Sequence, residues 1–381
     1  MKERPRLPYS TQSISDADVN AVGRALRSPY LTQGPEIGRF EKALAKISGK
    51  RFAAAVNSGT AALHAAYTAA GIGKGDEVLV PAITFAATAN AVLYLGAKPV
   101  FVDVDPDTGT MSAADAAKKV TKKTRAIVPV DYAGRPCDYS AFRVLARTHK
   151  LVLIADAAQS LGALYKGKPA GSFADISVYS FHPVKSITTA EGGAIVTDKE
   201  EFAARMRLFR SHGISKTASE FERKSEGPWY QEMQLLGYNY RMPDLLASLG
   251  LSQLKRLKKF ISKRASAARR YDRILREIEG IILPAKDSAD YSSAWHLFPV
   301  RIEEEKKRKK VFEYLRKAGI GVQVHHIPVY LHPYYQKLGY RKGLCPVAES
   351  WYAREISLPL YPFISEKEQR YVARALRAAI A

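Results

Sequence analysis

Residues 180–193 read SFHPVKSITTAEGG and follow the apolar run Ile176–Tyr179, which has the composition of a buried strand. Lys185 is the only lysine between Pro169 and Asp198, and that span contains no arginine, although the chain has 59 basic residues. A solitary lysine after a buried strand has little solvent to stabilise its charge, so its pKa should fall and its amine should become nucleophilic. An ordinary solvated lysine is the alternative, but the surrounding serine, threonine and glycine residues argue against it.

Short apolar runs alternate with helical stretches on both sides of this segment, and together they predict an α/β fold. Because the runs are almost continuously apolar, the sheet should be buried on both faces and its strands should be mostly parallel. In such sheets ligands bind beyond the carboxyl ends of the strands. The predicted strands are Glu77–Pro81, Pro99–Val104, Arg125–Val130, Leu151–Ala155, Ile176–Tyr179 and Ala194–Val196, and the predicted helices are Ala86–Leu95, one starting near Ser112, and Ser140–Lys150.

A second, smaller unit follows a long amphipathic helix whose apolar residues recur every three or four positions from Leu254 to Ile278. We predict a large α/β domain over residues 1–250, and a C-terminal part over 251–381 that contains this helix and a small α+β domain. The predicted elements of the small domain are strands near His296–Ile302 and Gly321–His325 and helices near Lys306–Ala318 and Glu366–Ala379.

Two further segments place polar groups at the ligand-facing edge of the predicted sheet. The sequence Asn57-Ser58-Gly59-Thr60 has the pattern of a strand-to-helix turn, whose free backbone N–H groups can bind phosphate. Asp156 ends a strand in apolar surroundings, where an unpaired carboxylate is costly and a protonated heterocyclic nitrogen would be a suitable partner. Simple helix capping or turn capping is the alternative for each segment when it is taken alone.

Together, an anion cradle, a carboxylate and a solitary amine meet the three requirements of pyridoxal 5′-phosphate (PLP). The phosphate needs the cradle, the pyridine nitrogen needs a carboxylate that keeps it protonated, and the aldehyde needs an amine. The sequence therefore predicts a PLP enzyme.

The same segments resemble the DegT/StrS-type family of nucleotide-sugar aminotransferases, which have the aspartate aminotransferase fold (PLP fold type I). The similarity extends from Tyr9 to the C-terminal helix, and the lysine motif is its most specific part. The matching segments are residues 57–63, 156–159 and 180–193, supported by 31–34, 130–134, 208–213 and 323–330.

The resemblance implies a role for each matching residue. Lys185 would join the cofactor covalently and move the proton, Asp156 would pair with the pyridine nitrogen, Gln159 would lie near the ring hydroxyl, and Phe85 would stack on the ring. Gly59, Thr60 and Ser180 would hold the phosphate, with Asn239 reaching over from the partner subunit of a homodimer. The residues implied for the sugar-nucleotide pocket are Tyr9, Pro29, Tyr30, Leu31, Thr32, Ser58, Gln323, Val324, His325 and His326.

Some of these residues have other interpretations. Phe85 could pack in the core, as aromatic residues near strand ends usually do. His325 and His326 could be ordinary histidines, and the alternation of side chains along a strand would let only one of them face the pocket.

The resemblance also implies the reaction and its small-molecule partners. The amino group of L-glutamate would pass to C4 of a UDP-linked 4-keto-6-deoxy-N-acetylhexosamine, with release of 2-oxoglutarate. A UDP-4-keto-pentose or a dTDP-4-keto-hexose is the alternative acceptor. Dehydration is disfavoured, because sugar dehydratases that resemble this family have histidine in place of the lysine.

Composition and charge limit the remaining classes of protein. No apolar run is long enough to span a bilayer, no secretory signal precedes the first strand, and the two cysteines lack metal-ligand spacing, so we expect a cytoplasmic protein without structural metal. The net charge is +22, of which +14 lies in residues 255–381, and it favours anionic partners. Binding to nucleic acid is an alternative function, but basic residues interleaved with aromatic ones and a groove-reading helix are both missing, so we expect no nucleic-acid partner.

Overall fold

The computed structural model describes residues 6–380, and a seven-stranded sheet forms the centre of the larger part. The α-helices of this range are α1 (Asp16–Leu26), α2 (Pro35–Ser48), α3 (Gly59–Ala69), α4 (Ala87–Tyr94), α5 (Ala113–Lys119), α6 (Tyr139–His149), α7 (Glu200–Phe209), α8 (Asp244–Leu254), α9 (Leu257–Leu275), α10 (Arg308–Lys317), α11 (Pro333–Lys337), α12 (Pro346–Arg354) and α13 (Glu366–Ile380). The strands are β1 (Phe52–Val56), β2 (Glu77–Pro81), β3 (Lys98–Val102), β4 (Thr124–Ile127), β5 (Val152–Asp156), β6 (Leu164–Tyr165), β7 (Lys168–Pro169), β8 (Ile176–Ser180), β9 (Gly193–Thr197), β10 (Ile214–Ser215), β11 (Glu232–Met233), β12 (Ile281–Ile282), β13 (Tyr291–Ser292), β14 (Phe298–Ile302) and β15 (Glu355–Leu358).

The main sheet has the order β1-β9-β8-β5-β4-β2-β3, and β8, β5, β4, β2 and β3 run parallel. Its strands are buried almost throughout, because helices cover both faces and β-branched residues fill the space between the layers. The prediction of a mostly parallel α/β sheet is therefore confirmed. The predicted strand Arg125–Val130 is too long, since β4 ends at Ile127.

Strand β9 is the one antiparallel member of this sheet, and its position decides the direction of β1. It pairs antiparallel with β1 on one side and with β8 on the other, so β1 and β8 run in the same direction. The carboxyl ends of β1, β5 and β8 consequently meet at one edge. Helix α3 starts at that edge directly after β1, and Asp156 and Ser180 end β5 and β8 there.

The C-terminal part has a core of its own around the antiparallel sheet β12-β14-β15. Helices α9, α10 and α13 pack on this sheet through apolar residues such as Leu275, Leu315 and Leu376. The predicted long helix begins at Leu257, three residues after the end of α8. The predicted domain boundary near residue 250 stays a prediction, and Gly250 itself lies within α8.

The predicted strand Gly321–His325 is wrong. Only Gln323 pairs there, in an isolated antiparallel bridge with Ser357 of β15. Strand β15, which the sequence pattern did not reveal, pairs with β14 on one side and meets the segment 321–325 only at Gln323 on the other. Across residues 6–380, no helix is long and apolar enough to cross a membrane.

Two helical glycines allow the packing to be tested, because the same substitution should have opposite effects at the two positions. A methyl group at Gly38 of α2 would meet no atom within 4 Å, whereas at Gly250 of α8 it would lie 2.6 Å from the ring of buried Phe40. We expect Gly38→Ala to stabilise the protein by up to about 1 kcal/mol through helix propensity. Gly250→Ala should destabilise it by roughly 1–3 kcal/mol through overpacking.

The measurement is the unfolding midpoint of the two purified variants and the wild type under one set of conditions. Equal shifts in the same direction would contradict the packing described for α2 against α8.

Candidate active site

A cavity of about 400 Å³ opens at the edge where β1, β5 and β8 end. Most of the predicted site residues line it, which brings together parts of the chain more than 300 residues apart in sequence. The predicted residues among its lining are Tyr9, Ser58, Gly59, Thr60, Phe85, Asp156, Gln159, Ser180, Lys185, His325 and His326. A larger cavity, of about 960 Å³, lies between α1, α2 and α8, but it contains neither the lysine nor the carboxylate that the chemistry requires.

Lys185 enters the cavity from the loop that follows β8. A hydrogen bond from its backbone N–H to the carbonyl of His182, 2.9 Å long, forms a tight turn, and Thr188 and Thr189 both bond back to the carbonyl of Phe181. Burial lowers the pKa of Lys185 from 10.5 to about 8, and the negative charge of Asp156 opposes this effect. Among the described residues, the amine makes no hydrogen bond or ion pair, so it is free to react.

Asp156 lies across the cavity at the end of β5. Its Oδ2 accepts a 2.7 Å hydrogen bond from the hydroxyl of Thr88, and its Oδ1 accepts one of 3.2 Å from the N–H of Ala158. Burial raises the pKa of Asp156, although these two bonds and the charge of Lys185 act in the opposite direction. The carboxyl group thus has neutral donors but no ion-pair partner within 4 Å in the described range, which fits the pairing of Asp156 with a protonated ring nitrogen.

The predicted strand-to-helix turn forms an anion cradle. The hydroxyl of Ser58 accepts a 3.0 Å bond from the N–H of Ala61 and so caps α3, while the N–H groups of Gly59 and Thr60 have no acceptor within residues 6–380. A methyl group at Gly59 would lie 3.0 Å from the Cβ of Ser180, so only glycine lets β8 approach the helix start this closely. This arrangement fits a phosphate group held at a helix N-terminus.

Gln159 and Phe85 complete the set predicted for a bound ring. The Oε1 of Gln159 accepts a 2.8 Å bond from the N–H of Ala133, which leaves its NH₂ group available to the cavity. The ring of Phe85 is 64% exposed at the cavity, so the alternative that it packs in the core is wrong.

Both His325 and His326 line the cavity, so the expectation that only one histidine could face it is wrong. That expectation assumed a strand, and this segment is not in the sheet. Burial, together with the charge of Lys185, lowers the pKa of His325 to about 4. The pKa of His326 also lies well below the ordinary value because of burial and of His325 beside it.

Sequence reasoning missed several residues of the cavity, above all His296 and Thr88. His296 lies within the apolar stretch that leads into β14 and is only 5% exposed, and no local pattern distinguishes it from a core residue. Thr88 is buried in α4, and its hydroxyl donates the hydrogen bond to Asp156. No arginine is present among the described residues that line the cavity, and Lys185 is the one lysine there.

Other predicted residues lie outside this cavity. Asn239 is exposed, and its backbone carbonyl accepts a bond from the side chain of Asn57. Pro29 and Tyr30 line the larger cavity instead. The remaining residues of this group are Leu31, Thr32 and Gln323, which are exposed, and Val324, which is partly buried. Their implied roles stay predictions.

Comparisons with known proteins match almost the whole chain to one family. The model of the DegT/DnrJ/EryC1/StrS aminotransferase family matches residues 12–377. The chain is 40% identical over 376 residues to the spore coat polysaccharide biosynthesis protein SpsC of Bacillus subtilis, with 97% of this chain and 96% of that protein covered. It is 38% identical over 375 residues to the UDP-4-amino-4,6-dideoxy-N-acetyl-beta-L-altrosamine transaminase of Campylobacter jejuni, at coverages of 97% and 96%.

Among solved structures, the sugar aminotransferase Spr1654 from Streptococcus pneumoniae in its PMP form superposes with a TM-score of 0.93 at 32% identity, covering 98% of this chain and 99% of that one. The same protein has also been solved in a PLP form. The chain therefore shares its fold with this aminotransferase over nearly the whole length of both proteins.

The lowered pKa of Lys185 predicts an unusually reactive amine. At pH 8 about half of a lysine with a pKa near 8 is neutral, against less than about 1% at the ordinary value. In the cofactor-free protein, acetic anhydride should therefore modify Lys185 faster than the exposed Lys168, as followed by peptide mass spectrometry. Asp156→Asn should increase the rate further, since it removes the negative charge that raises the pKa of Lys185. Equal rates at Lys185 and Lys168 would contradict the assigned environment.

Proposed function

Because this chain belongs to the DegT/DnrJ/EryC1/StrS aminotransferase family, we propose that it transfers the amino group of L-glutamate to C4 of a UDP-linked 4-keto-6-deoxy-N-acetylhexosamine, a step of pseudaminic acid biosynthesis. The family is PLP-dependent, and the protein is a sugar aminotransferase that acts on small molecules.

One observation carries the proposal: an amine without a partner and a carboxylate without an ion pair face the same cavity, beside an anion cradle. PLP, when bound, supplies the electron sink that allows a proton to leave the carbon that carries the nitrogen. Lys185 would hold the cofactor through its Nζ, and once the substrate has released this amine it would move a proton between the substrate carbon and C4′ of the cofactor in each half-reaction. Asp156 keeps a proton on the ring nitrogen by its negative charge.

The other residues of the cavity would bind and orient the cofactor and the sugar. Gly59, Thr60 and Ser180 would hold the phosphate, Phe85 would stack on the ring, and the NH₂ group of Gln159 would donate to the ring hydroxyl. Since burial keeps His325 and His326 uncharged, they can exchange hydrogen bonds with sugar hydroxyl groups without binding anions. Lys185 also argues against dehydration, because the related dehydratases have histidine at this position.

The resemblance to the Campylobacter jejuni transaminase supports the UDP-linked hexosamine as acceptor. The similar identity to SpsC, a protein of spore coat polysaccharide biosynthesis, supports a second candidate, C4 amination of another nucleotide sugar such as a UDP-4-keto-pentose or a dTDP-4-keto-hexose. Both candidates use the same cofactor site and differ in the nucleotide sugar that the chain would bind.

A homodimer with shared active sites is part of the proposal. Two of the predicted site segments that lie outside the cavity, residues 29–32 and Asn239, are linked through the start of α8: the N–H of Asp244 bonds to the carbonyl of Leu31 at 3.0 Å, and Thr32 pairs with Pro243, four residues after Asn239. Close to Asn239 in sequence, several large apolar side chains are exposed, namely Trp229, Met233, Leu236 and Tyr238. Such a patch is typical of a contact surface, so a second copy can bring Asn239 and the segment 29–32 to its partner's cavity.

Mixing two inactive variants tests the shared site. In a heterodimer of Lys185→Ala and Asn239→Ala subunits, one site lacks both residues and the other has both. Reassociation of a 1:1 mixture should therefore restore roughly a quarter of the wild-type activity, because half of the dimers are mixed and each has one complete site. No recovery, with mixed dimers demonstrated by mass spectrometry, would contradict the placement of Asn239 in the partner's site.

The reaction itself is tested by presenting the holoenzyme with L-glutamate and a panel of UDP- and dTDP-linked 4-keto sugars. We expect the UDP-linked 4-keto-6-deoxy-N-acetylhexosamine to be aminated with the highest kcat/KM. Lys185→Ala should lose both the yellow absorbance of the bound cofactor and turnover, whereas Lys168→Ala, the control at an exposed position, should keep both. Normal turnover by Lys185→Ala would overturn the proposed function.

The cytoplasm is the proposed compartment, since L-glutamate and nucleotide sugars are available there. Fractionation of the native cells, with detection of the protein in each fraction, tests this proposal. Recovery of the protein mainly with the membranes would contradict it.

A further inference from the structure

A buried carboxyl group lies behind one of the histidines of the cavity, and the reaction described above makes no use of it. Glu355 at the start of β15 is fully buried, and its Oε2 accepts a 2.7 Å hydrogen bond from the backbone N–H of His325. Its Oε1 is bonded to the hydroxyl of Ser357, and this hydroxyl lies 2.8 Å from the Nδ1 of His325. The two oxygens of one carboxyl group thus hold both the backbone and, through Ser357, the ring of the same histidine.

The hydroxyl of Ser357 has a single hydrogen and two partners, so only two arrangements satisfy all three groups. If Glu355 is ionised, Ser357 donates to it and accepts from Nδ1–H, which leaves a lone pair on the Nε2 of His325. If Glu355 is protonated, it donates to Ser357, which donates to Nδ1, and the ring hydrogen is then on Nε2. His325 lines the cavity, and Nε2 is its remaining ring nitrogen.

Of the two groups, Glu355 and not His325 gains and loses a proton near neutral pH. Burial raises the pKa of Glu355 to about 8, in spite of the bonds from Ser357 and His325 and the charge of Arg308. Burial and Lys185 lower the pKa of His325 to about 4, so the ring stays neutral over the range in which Glu355 ionises. The ring therefore changes its tautomer and not its charge.

We propose that Glu355 and Ser357 are positioning residues that set the tautomer of His325. While Glu355 is protonated, Nε2–H donates a hydrogen bond into the cavity, and once Glu355 has lost its proton, Nε2 accepts one. The proton balance is complete: the carboxyl group releases one proton to solvent, Ser357 turns its hydroxyl hydrogen towards Glu355, and the ring hydrogen moves from Nε2 to Nδ1 by exchange with water.

Only the identity of the group that binds Nε2 rests on the proposed function, and the change of tautomer does not depend on it. In the donor state, Nε2–H would bind an oxygen of the acceptor sugar, and the loss of this donor would weaken binding at high pH.

The hydrogen-bonded residues Glu355, Ser357 and His325 form a relay, and other charged or titratable groups lie around it. Arg301 of β14 pairs in register with Glu355, and Arg308 of α10 favours its ionised form. Tyr132 donates a 2.7 Å hydrogen bond to the carbonyl of His325. The groups that face the ring of His325 are Lys185, His326 and Tyr9, and His296 lies in the same cavity.

Histidine tautomers can be read directly from long-range ¹H–¹⁵N spectra, which need no substrate. The chain has eight histidines, so selective labelling of the holoenzyme gives few signals, and His325→Asn assigns the one of interest. In the wild type we expect Nε2–H well below pH 8 and Nδ1–H well above it. In Glu355→Gln, whose amide can donate to Ser357 at every pH, Nε2–H should persist throughout.

Ser357→Ala should abolish the pH-dependent change, and Ser357→Thr should restore it. The matched controls Glu313→Gln and Ser350→Ala change exposed residues outside the relay and should behave like the wild type. A wild-type His325 that keeps one tautomer from pH 6 to 10, or a Glu355→Gln variant that follows the wild-type transition, would overturn the inference.

Kinetics supply the second readout and separate the inference from the proposed function. With an acceptor sugar from the panel, the KM of the wild type should rise by about tenfold between pH values well below and well above 8, the effect of one lost hydrogen bond, with a smaller change in kcat, whereas Glu355→Gln should not show this rise. An unchanged KM would contradict a role in binding the acceptor. If no sugar of the panel reacts while the tautomer of His325 still follows Glu355, the proposed function fails and the relay stands.

Discussion

Burial of an amine and a carboxyl group in one cavity, without a salt bridge between them, is the constraint on which the site depends. Burial disfavours the charged form of each group, and the attraction between the two charges offsets this cost only in part, since neither finds an opposite charge within 4 Å among residues 6–380. Neutral donors hold Asp156 in place, and a tight turn holds Lys185. The sheet positions Asp156 and the loop after β8 positions Lys185, and this arrangement leaves both groups available to a cofactor that pairs with each of them.

The direction of one strand makes this geometry possible. Because β9 is antiparallel to both neighbours, β1 runs with β8 and delivers the start of α3 to the same edge as Asp156 and Ser180. Glycine at position 59 then allows the helix start to touch Ser180, and Gly193 of β9 leaves room for the carbonyl of Ser58. The phosphate cradle is therefore a consequence of the sheet topology and of two residues without side chains.

The C-terminal part is coupled to the lysine through a buried arginine. The guanidinium of Arg264 on α9 has only carbonyl acceptors in the described structure, among them Trp295 at 3.2 Å, Leu360 at 3.0 Å and Val184 at 3.4 Å. Burial without a carboxylate lowers the pKa of Arg264 to about 10. Since Val184 directly precedes Lys185, this arginine ties the lysine loop to the part of the chain that supplies the histidines.

The sequence by itself determined the α/β class and the strand ends at which the cavity forms, and it predicted the roles that are proposed for Lys185 and Asp156. These features are local: an apolar run, the residue that follows it and the absence of other charges nearby can all be read along the chain.

Only the tertiary structure decided that residues 321–325 leave the sheet, that His296 and Thr88 belong to the cavity, and that Glu355 lies behind His325. It also placed Asn239 and the segment 29–32 outside their own chain's cavity. These facts depend on contacts between residues far apart in sequence, such as the pairing of β15 with β14, and no local pattern along the chain records them.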